Sequence, residues 1–511
     1  MSSVDVFMDS EGSPIIYVYD RDGDNFTPVR QTTIGPLSVG EHLALPVNLQ
    51  VDPGQYVGVY PDGIAAGPGG WLHGMYYGST PSFTDPDIFT SASSLVIFNV
   101  FEPQGITREE FVNNIFPQGV ATADDVAAPS AARPYALSTR LYDPVVVYFG
   151  GAGQSNAAGQ QPAITLRQEY GALSFANGDD TLQPARSPEC GAYEFPGLGG
   201  AAYLRRRMMG ENLFSNIGGG IPTIAGHAAI GATEIAALDK GSPIYQDGLD
   251  QLSAALTYAG ANSLVHLGQT WFQGERDGFL TTGRAAYYAL LVALATDYDA
   301  DCRALLTAAA QDDSYPLRTA VVQIASAYGS YGEPSWEIAM AQFEACRDER
   351  LLVMACPNYV APFGDSLHAT AAGSRRIGGY LLRALMSQCT FEPLWVVDSY
   401  VSGNAIVLVY NRDDLQIDTT RIPLQTNYGF RVYDALDAEV TDFTVTVSGF
   451  EVTLDCGTDP TGFSWDYGHL EAVGLAPYSG GAGNLRDSAG DTDVWEGWPM
   501  HNWAVLQEGA L

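Results

Sequence analysis

Three side chains that together can transfer an acyl group stand at separate places in the chain. Ser155 follows Gly150-Gly151-Ala152-Gly153-Gln154, and Asp365 and His368 sit in Pro362-Phe363-Gly364-Asp365-Ser366-Leu367-His368. A serine hydroxyl is a weak nucleophile until a base takes its proton. An imidazole can do this at neutral pH, provided a carboxylate on its other nitrogen fixes the tautomer and stabilises the imidazolium. On a turn leading into a helix, the Asp-x-x-His spacing lets the carboxylate reach back to one ring nitrogen while the other faces a cleft. Acyl transfer also needs donors for a developing oxyanion. Gly231, in Ala228-Ala229-Ile230-Gly231-Ala232-Thr233, offers its N–H, and Ser155 offers its own. Gln273, in Trp271-Phe272-Gln273-Gly274-Glu275-Arg276-Asp277, offers a side-chain amide. Each residue alone has a plainer reading: Ser155 or Asp365 as a helix N-cap, His368 as a solvated histidine, Gly231 as a turn.

The surrounding pattern is what groups them. From about residue 141, short apolar runs at 145–149, 222–228, 264–268, 319–325 and 351–356 alternate with helical stretches at 201–214, 242–259, 283–311, 335–350 and 371–387. Such alternation specifies a five-stranded parallel sheet covered on both faces. Ligands of these sheets bind at the carboxyl ends of the strands. Ser155, Gly231, Gln273 and the Asp365–His368 pair each follow one of these runs. Gly151-x-Gly153 could open a dinucleotide loop, but Asn156 stands where a third small residue is needed.

The flanks read differently. Residues 1–135 are β-rich, with runs such as Ile15-Ile16-Tyr17-Val18-Tyr19 between Gly, Pro and Asp turns, and residues 121–134 form a linker. Residues 391–511 return to short strands and read as a second β-sandwich packed on the α/β domain of 141–390. Asp20-Arg21-Asp22-Gly23-Asp24 lacks the glycine position and closing glutamate of a calcium loop and reads as a hairpin turn. Trp71, Tyr76 and Tyr77 can pack in a core or stack on sugar rings. The chain carries 24 Lys and Arg against 59 Asp and Glu, a net charge of −35. That surface repels nucleic acid and anionic membrane, so neither is an expected partner. No run is long and apolar enough for a membrane span, and Met1-Ser2-Ser3-Val4-Asp5 has no signal-peptide character, so membrane insertion and ordinary secretion are not expected. The six cysteines are widely spaced, which suggests buried free thiols rather than a disulfide framework or metal site.

Gly153-Gln154-Ser155-Asn156, Trp271-Phe272-Gln273-Gly274-Glu275-Arg276-Asp277 and Gly364-Asp365-x-x-His368 together resemble the three signature blocks of the sialate O-acetylesterase and acetylxylan esterase-like branch of the SGNH (GDSL-like) hydrolases. The resemblance covers roughly residues 141–390. It implies a flavodoxin-like three-layer α/β/α domain and a serine esterase, free of metal and cofactor, that removes O-acetyl groups from carbohydrate. By matching positions, Ser155 is the nucleophile, His368 the base and Asp365 its orienter. Ser155, Gly231 and Gln273 supply the oxyanion donors. Gln154, Asn156, His227 and Glu275 are expected to contact substrate, and Glu275 to brace its loop. The chain departs from the wider superfamily in having Gly-Gln-Ser for Gly-Asp-Ser, Gln273 for the oxyanion asparagine, and Ile230 where a second glycine is common. An esterase core between β-rich flanks also resembles fibres or spikes of phages and phage-like particles. This implies action on cell-surface polysaccharide and assembly as a homo-oligomer or within a particle. The same flanks suit a glycan-binding adhesin with an inactive or secondary esterase core, although the intact Ser155, Asp365 and His368 argue against it. A lipid or thioester substrate is a third reading; no long apolar lid is evident.

Overall fold

The computed structural model describes the backbone of seven strands between residues 3 and 101, and residues 145–511 apart from 170, 177–178, 211–221, 387–392 and 470–479. It divides into compact units, one holding residues 1–107 and the other including 143–211 and 221–511. In the first unit the strands are β1 (Ser3–Met8), β2 (Ile15–Asp22), β3 (Asn25–Thr33), β4 (Gly40–Pro46), β5 (Tyr56–Tyr60), β6 (Gly74–Tyr76) and β7 (Leu95–Phe101). They form two antiparallel sheets, ordered β4-β1-β7 and β3-β2-β5-β6. Asp20, Arg21 and Asp22 pair with Thr27, Phe26 and Asn25 of β3, while Gly23 and Asp24 lie outside the described residues. Trp71, Tyr77 and the side chain of Tyr76 lie outside the described residues.

The second unit is a mixed α/β fold built on a largely parallel sheet. Its strands are β8 (Val145–Gly153), β9 (Leu173–Ser174), β10 (Gln183–Pro184), β11 (Thr223–Ala225), β12 (Ala228–Ala229), β13 (Ser263–Phe272), β14 (Thr319–Gln323) and β15 (Leu352–Pro357). The order is β10-β9-β11-β8-β13-β14-β15, with β12 also paired to β8. The central five, β11-β8-β13-β14-β15, are all parallel. Beyond the five expected strands, β9 extends the sheet in parallel and β10 closes it antiparallel. These two-residue strands are too short to leave a hydrophobic period in the sequence.

The first six residues of β8 and all of β14 and β15 are buried, as strands covered on both faces must be. Helices Pro243–Ala259 and Arg284–Ala308 pack with Val146, Tyr148 and Leu264 in one core cluster. Helices Pro196–Gly210 and Ala371–Met386 pair with each other through glycines. A Cβ on Gly378 would lie 2.1 Å from the Pro196 carbonyl oxygen, so only glycine permits this approach. Ser242 caps helix Pro243–Ala259 by accepting the Tyr245 N–H at 3.2 Å, with proline at the first helical position.

Residues 394–511 add further sheets to this unit. Strands β16 (Val396–Ser402), β17 (Ala405–Tyr410), β20 (Thr444–Ser448) and β21 (Glu451–Asp455) form an antiparallel sheet in the order β16-β17-β21-β20; β18 (Gln416–Ile417) lies between β17 and β20 in sequence and pairs elsewhere. Strands β19 (Phe430–Tyr433) and β22 (Ser464–Tyr467) form another with the strand Gln507–Ala510. Ile406, Leu408, Phe430, Val432, Val452, Trp465 and Tyr467 belong to the core these sheets share. The segment after residue 485 is bonded into the α/β layers. The Gln323 side chain exchanges two 2.8 Å hydrogen bonds with the backbone of Leu506, and the Tyr359 hydroxyl donates to the Ala504 carbonyl at 2.6 Å. The five described cysteines are buried and unpaired; Cys389 lies outside the described residues. No helix among the described residues is long and apolar enough to cross a membrane.

Candidate active site

Strand β8 delivers Ser155 to the carboxyl edge of the sheet. The strand does not stop at Phe149 but runs through its glycines to Gly153. Gly153 has φ +140°, and a Cβ there would sit 2.2 Å from the Phe272 carbonyl oxygen, so this crossing requires glycine. The Gln154 N–H donates to the same carbonyl at 3.1 Å. Ser155 then opens a one-turn helix, Ser155–Ala158.

The fifth central strand, β15, leads through a 3-10 turn (Asn358–Val360) to the loop bearing Asp365 and His368. The loop closes on itself: the Gly364 N–H donates to the His368 carbonyl at 2.8 Å, and Thr370 N–H to the Pro362 carbonyl at 2.9 Å. His368 Nε2 lies 3.1 Å from Ser155 Oγ, and His368 Nδ1 lies 2.9 Å from Asp365 Oδ2. The other Asp365 oxygen accepts the N–H groups of Leu367 and His368 at 2.8 and 2.7 Å. Burial works to raise the Asp365 carboxyl, but the His368 ring and these N–H groups outweigh it and hold the carboxyl below its ordinary range. With Asp365 ionised, the ring proton belongs on Nδ1, and Nε2 is left to accept the Ser155 hydroxyl.

Asn156 grips this loop from beneath. Its amide donates to the Leu367 carbonyl at 2.9 Å, and its Oδ1 accepts the Ala369 N–H at 3.0 Å, so both neighbours of His368 are tied to the residue after Ser155. The same amide donates to Glu275 Oε1 at 2.6 Å. Burial pushes the Glu275 carboxyl above the ordinary carboxylate range, against the pull of its own N–H, the Asn156 amide and the nearby His368. Gln154 accepts the Arg276 N–H at 3.2 Å. Gln154, Asn156 and Glu275 are buried, and these bonds join them to their own chain, the bracing arrangement expected of Glu275. His227 is the fourth of the expected substrate contacts. It is buried and stacked on Phe195 with ring centroids 3.8 Å apart. Burial pushes its pKa down to about 4, outweighing the opposing pull of the Phe175 and Ala158 backbone.

The expected oxyanion donors separate into two groups. A Cβ on Gly231 would lie 3.9 Å from Ser155 Cβ, so this glycine borders Ser155. The backbone bonds of this region run from Gln154 to Phe272, Ala158 to Gln154 and Ile230 to Gly153, and none uses the N–H of Ser155 or Gly231. Gln273 differs: it is fully buried, and its amide donates to the Thr233 carbonyl at 3.1 Å and to Asp277 Oδ2. Both amide hydrogens are committed, so Gln273 has none left for an oxyanion. Asp277 received no role from the sequence. It is buried, and it also accepts the Ile235 N–H and the Thr282 hydroxyl, each at 2.9 Å. Its position four residues after Gln273 in a helical start was the available signal.

No family model and no curated protein matches the chain. Among solved structures, it is similar to a carbohydrate acetylesterase from Xanthomonas citri at 14% identity, covering 98% of this chain and 94% of that one, with a TM-score of 0.49. A protein from Arabidopsis thaliana matches at 19% identity over 48% of this chain and all of its own, with a TM-score of 0.37. NanS matches at 16% identity over 48% of this chain and 97% of its own, with a TM-score of 0.35.

Proposed function

We propose that this protein is a serine esterase that removes O-acetyl groups from carbohydrate, such as a cell-surface polysaccharide, through an acetyl-serine intermediate. The observation that carries the reading is the continuous relay from Ser155 Oγ to His368 Nε2 and from His368 Nδ1 to Asp365, with spacings of 3.1 and 2.9 Å. His368 takes the hydroxyl proton as Ser155 Oγ attacks the acyl carbonyl. The negative charge that forms on the carbonyl oxygen meets the N–H groups of Ser155 and Gly231. The C–O bond to the sugar then breaks, and His368 returns the proton to the leaving alkoxide. In the second half, water attacks the acetyl carbonyl, His368 takes its proton, and acetate leaves Ser155 reprotonated. Asp365 remains ionised throughout and balances the imidazolium.

That the ester is a carbohydrate acetate follows from the three sequence blocks rather than from the relay. The test has two parts. Hydrolysis of an aryl acetate is measured for wild type and Ser155→Ala, with a loss of about 10³-fold or more expected in the variant. Acetate release is then followed over a panel of acetylated polysaccharides. Undiminished activity in Ser155→Ala removes Ser155 from the mechanism. Glycan binding without turnover by wild type favours the adhesin reading.

A further inference from the structure

We propose that Asp277 and Gln273 form a positioning clamp that holds the turn at residues 230–235 so that the Gly231 N–H faces Ser155. The inference rests on the esterase reading and gives Gln273 a new part in it: the residue places an oxyanion donor instead of being one. The turn is fixed at both ends. At its start, the Ile230 N–H donates to the Gly153 carbonyl at 3.2 Å, tying it to the strand that carries the nucleophile. At its end, Gln273 Nε2 holds the Thr233 carbonyl at 3.1 Å and Asp277 Oδ2 holds the Ile235 N–H at 2.9 Å. Asp277 Oδ2 also accepts from Gln273 Nε2, which locks the two clamp residues to each other.

Between these anchors lies Ala232, with φ +56°, a left-handed conformation that disfavours any side chain. A non-glycine residue stays there only where its surroundings over-determine the backbone. The clamp provides that constraint. It is rigidly backed: Gln273 Oε1 accepts the Tyr287 hydroxyl at 2.8 Å, and the Gln273 carbonyl accepts the Gln342 amide at 2.7 Å. Thr282 occupies the second Asp277 oxygen. The clamp thus fixes the backbone two and four residues beyond Gly231, and a Cβ on Gly231 would lie 3.9 Å from Ser155 Cβ.

The experiment uses the full chain with Asp277→Ala, which removes the oxygen that accepts both the Ile235 N–H and Gln273 Nε2. Two readouts are taken. Hydrogen exchange of the Ile235 amide should accelerate about tenfold or more. In steady-state hydrolysis of an aryl acetate, kcat should fall about 10- to 100-fold with KM within about twofold, the pattern of a lost transition-state donor. Adding Ala232→Gly, which relieves the left-handed strain, should recover kcat by about threefold or more. If Asp277→Ala does not fold, Thr282→Val removes one partner of the carboxylate and should shift both readouts in the same direction by a smaller amount. Unchanged Ile235 exchange, or unchanged kcat in an active enzyme, overturns the clamp. An inactive wild type sinks the esterase reading instead, and the exchange of Ile235 then decides the clamp alone.

Discussion

Replacing Asn156 with alanine should separate the grip on the catalytic loop from the catalytic groups themselves. The substitution removes three hydrogen bonds, to Glu275 Oε1, to the Leu367 carbonyl and from the Ala369 N–H. They are unequal. Leu367 is partly exposed, so water can replace its bond, at a cost of about 0.5–1 kcal/mol. The Ala369 N–H is buried and left unpaired, which costs about 1–3 kcal/mol. Glu275 is buried, and its Oε2 already lacks a partner, so losing the amide from Oε1 costs about 1.5–3 kcal/mol more. The sum is about 3–7 kcal/mol of unfolding free energy. Because Leu367 and Ala369 flank His368, kcat should also fall by about tenfold or more, a loss expected when a base drifts by a fraction of an ångström. Urea unfolding followed by tryptophan fluorescence and aryl acetate turnover on the same preparation measure both effects. A stability loss below about 1 kcal/mol refutes the hydrogen-bond accounting. A full stability loss with undiminished kcat refutes the claim that Asn156 holds the base in place.

Two further substitutions test the pH behaviour of buried groups. Glu275 has a raised pKa in the folded protein, so the folded state binds the extra proton and wild type loses stability as pH rises from the ordinary carboxylate value through the raised one. Glu275→Gln keeps an acceptor for Asn156 and should flatten that part of the profile; an unaltered slope in denaturant titrations between pH 4 and 8 would refute it. His227 has a folded pKa of about 4, so its contribution is present above the free histidine value and is lost as pH falls from about 6.5 through 4. His227→Phe should abolish this loss and leave kcat/KM within about threefold, whereas a tenfold drop in kcat/KM would keep His227 among the substrate contacts.

The convergence of Ser155, Asp365 and His368 was legible because each follows a strand of the same sheet, and the carboxyl ends of parallel strands share one edge. The local Asp-x-x-His spacing did the rest. What the sequence could not convey was how donors are allotted. Gln273 has the right chemistry at the right strand end, but its two amide hydrogens are taken by Thr233 and Asp277, and only coordinates reveal that. The sequence suggests a bracing role for Glu275, but that Asn156 ties Glu275 to both neighbours of His368 is visible only in three dimensions. The glycines at 150–153 suggested that β8 ends early. They instead let the strand pass beneath close neighbours, since a Cβ on Gly151 would lie 2.3 Å from the Gly226 carbonyl oxygen. The two-residue strands β9 and β10 carry no periodicity, so their pairing comes from tertiary context alone.

The reciprocal bonds between Gln323 and Leu506 have a consequence for synthesis. Gln323 ends the fourth central strand of the sheet, but the backbone it pairs with is made some 180 residues later. During translation, the sheet can assemble while this buried amide and the hydroxyl of Tyr359 still lack their final partners. A nascent polypeptide halted short of residue 500 would therefore hold every group of the relay and still present unsatisfied polar atoms to chaperones and proteases. Completion of this part of the core would then wait on the synthesis of residues 504–506.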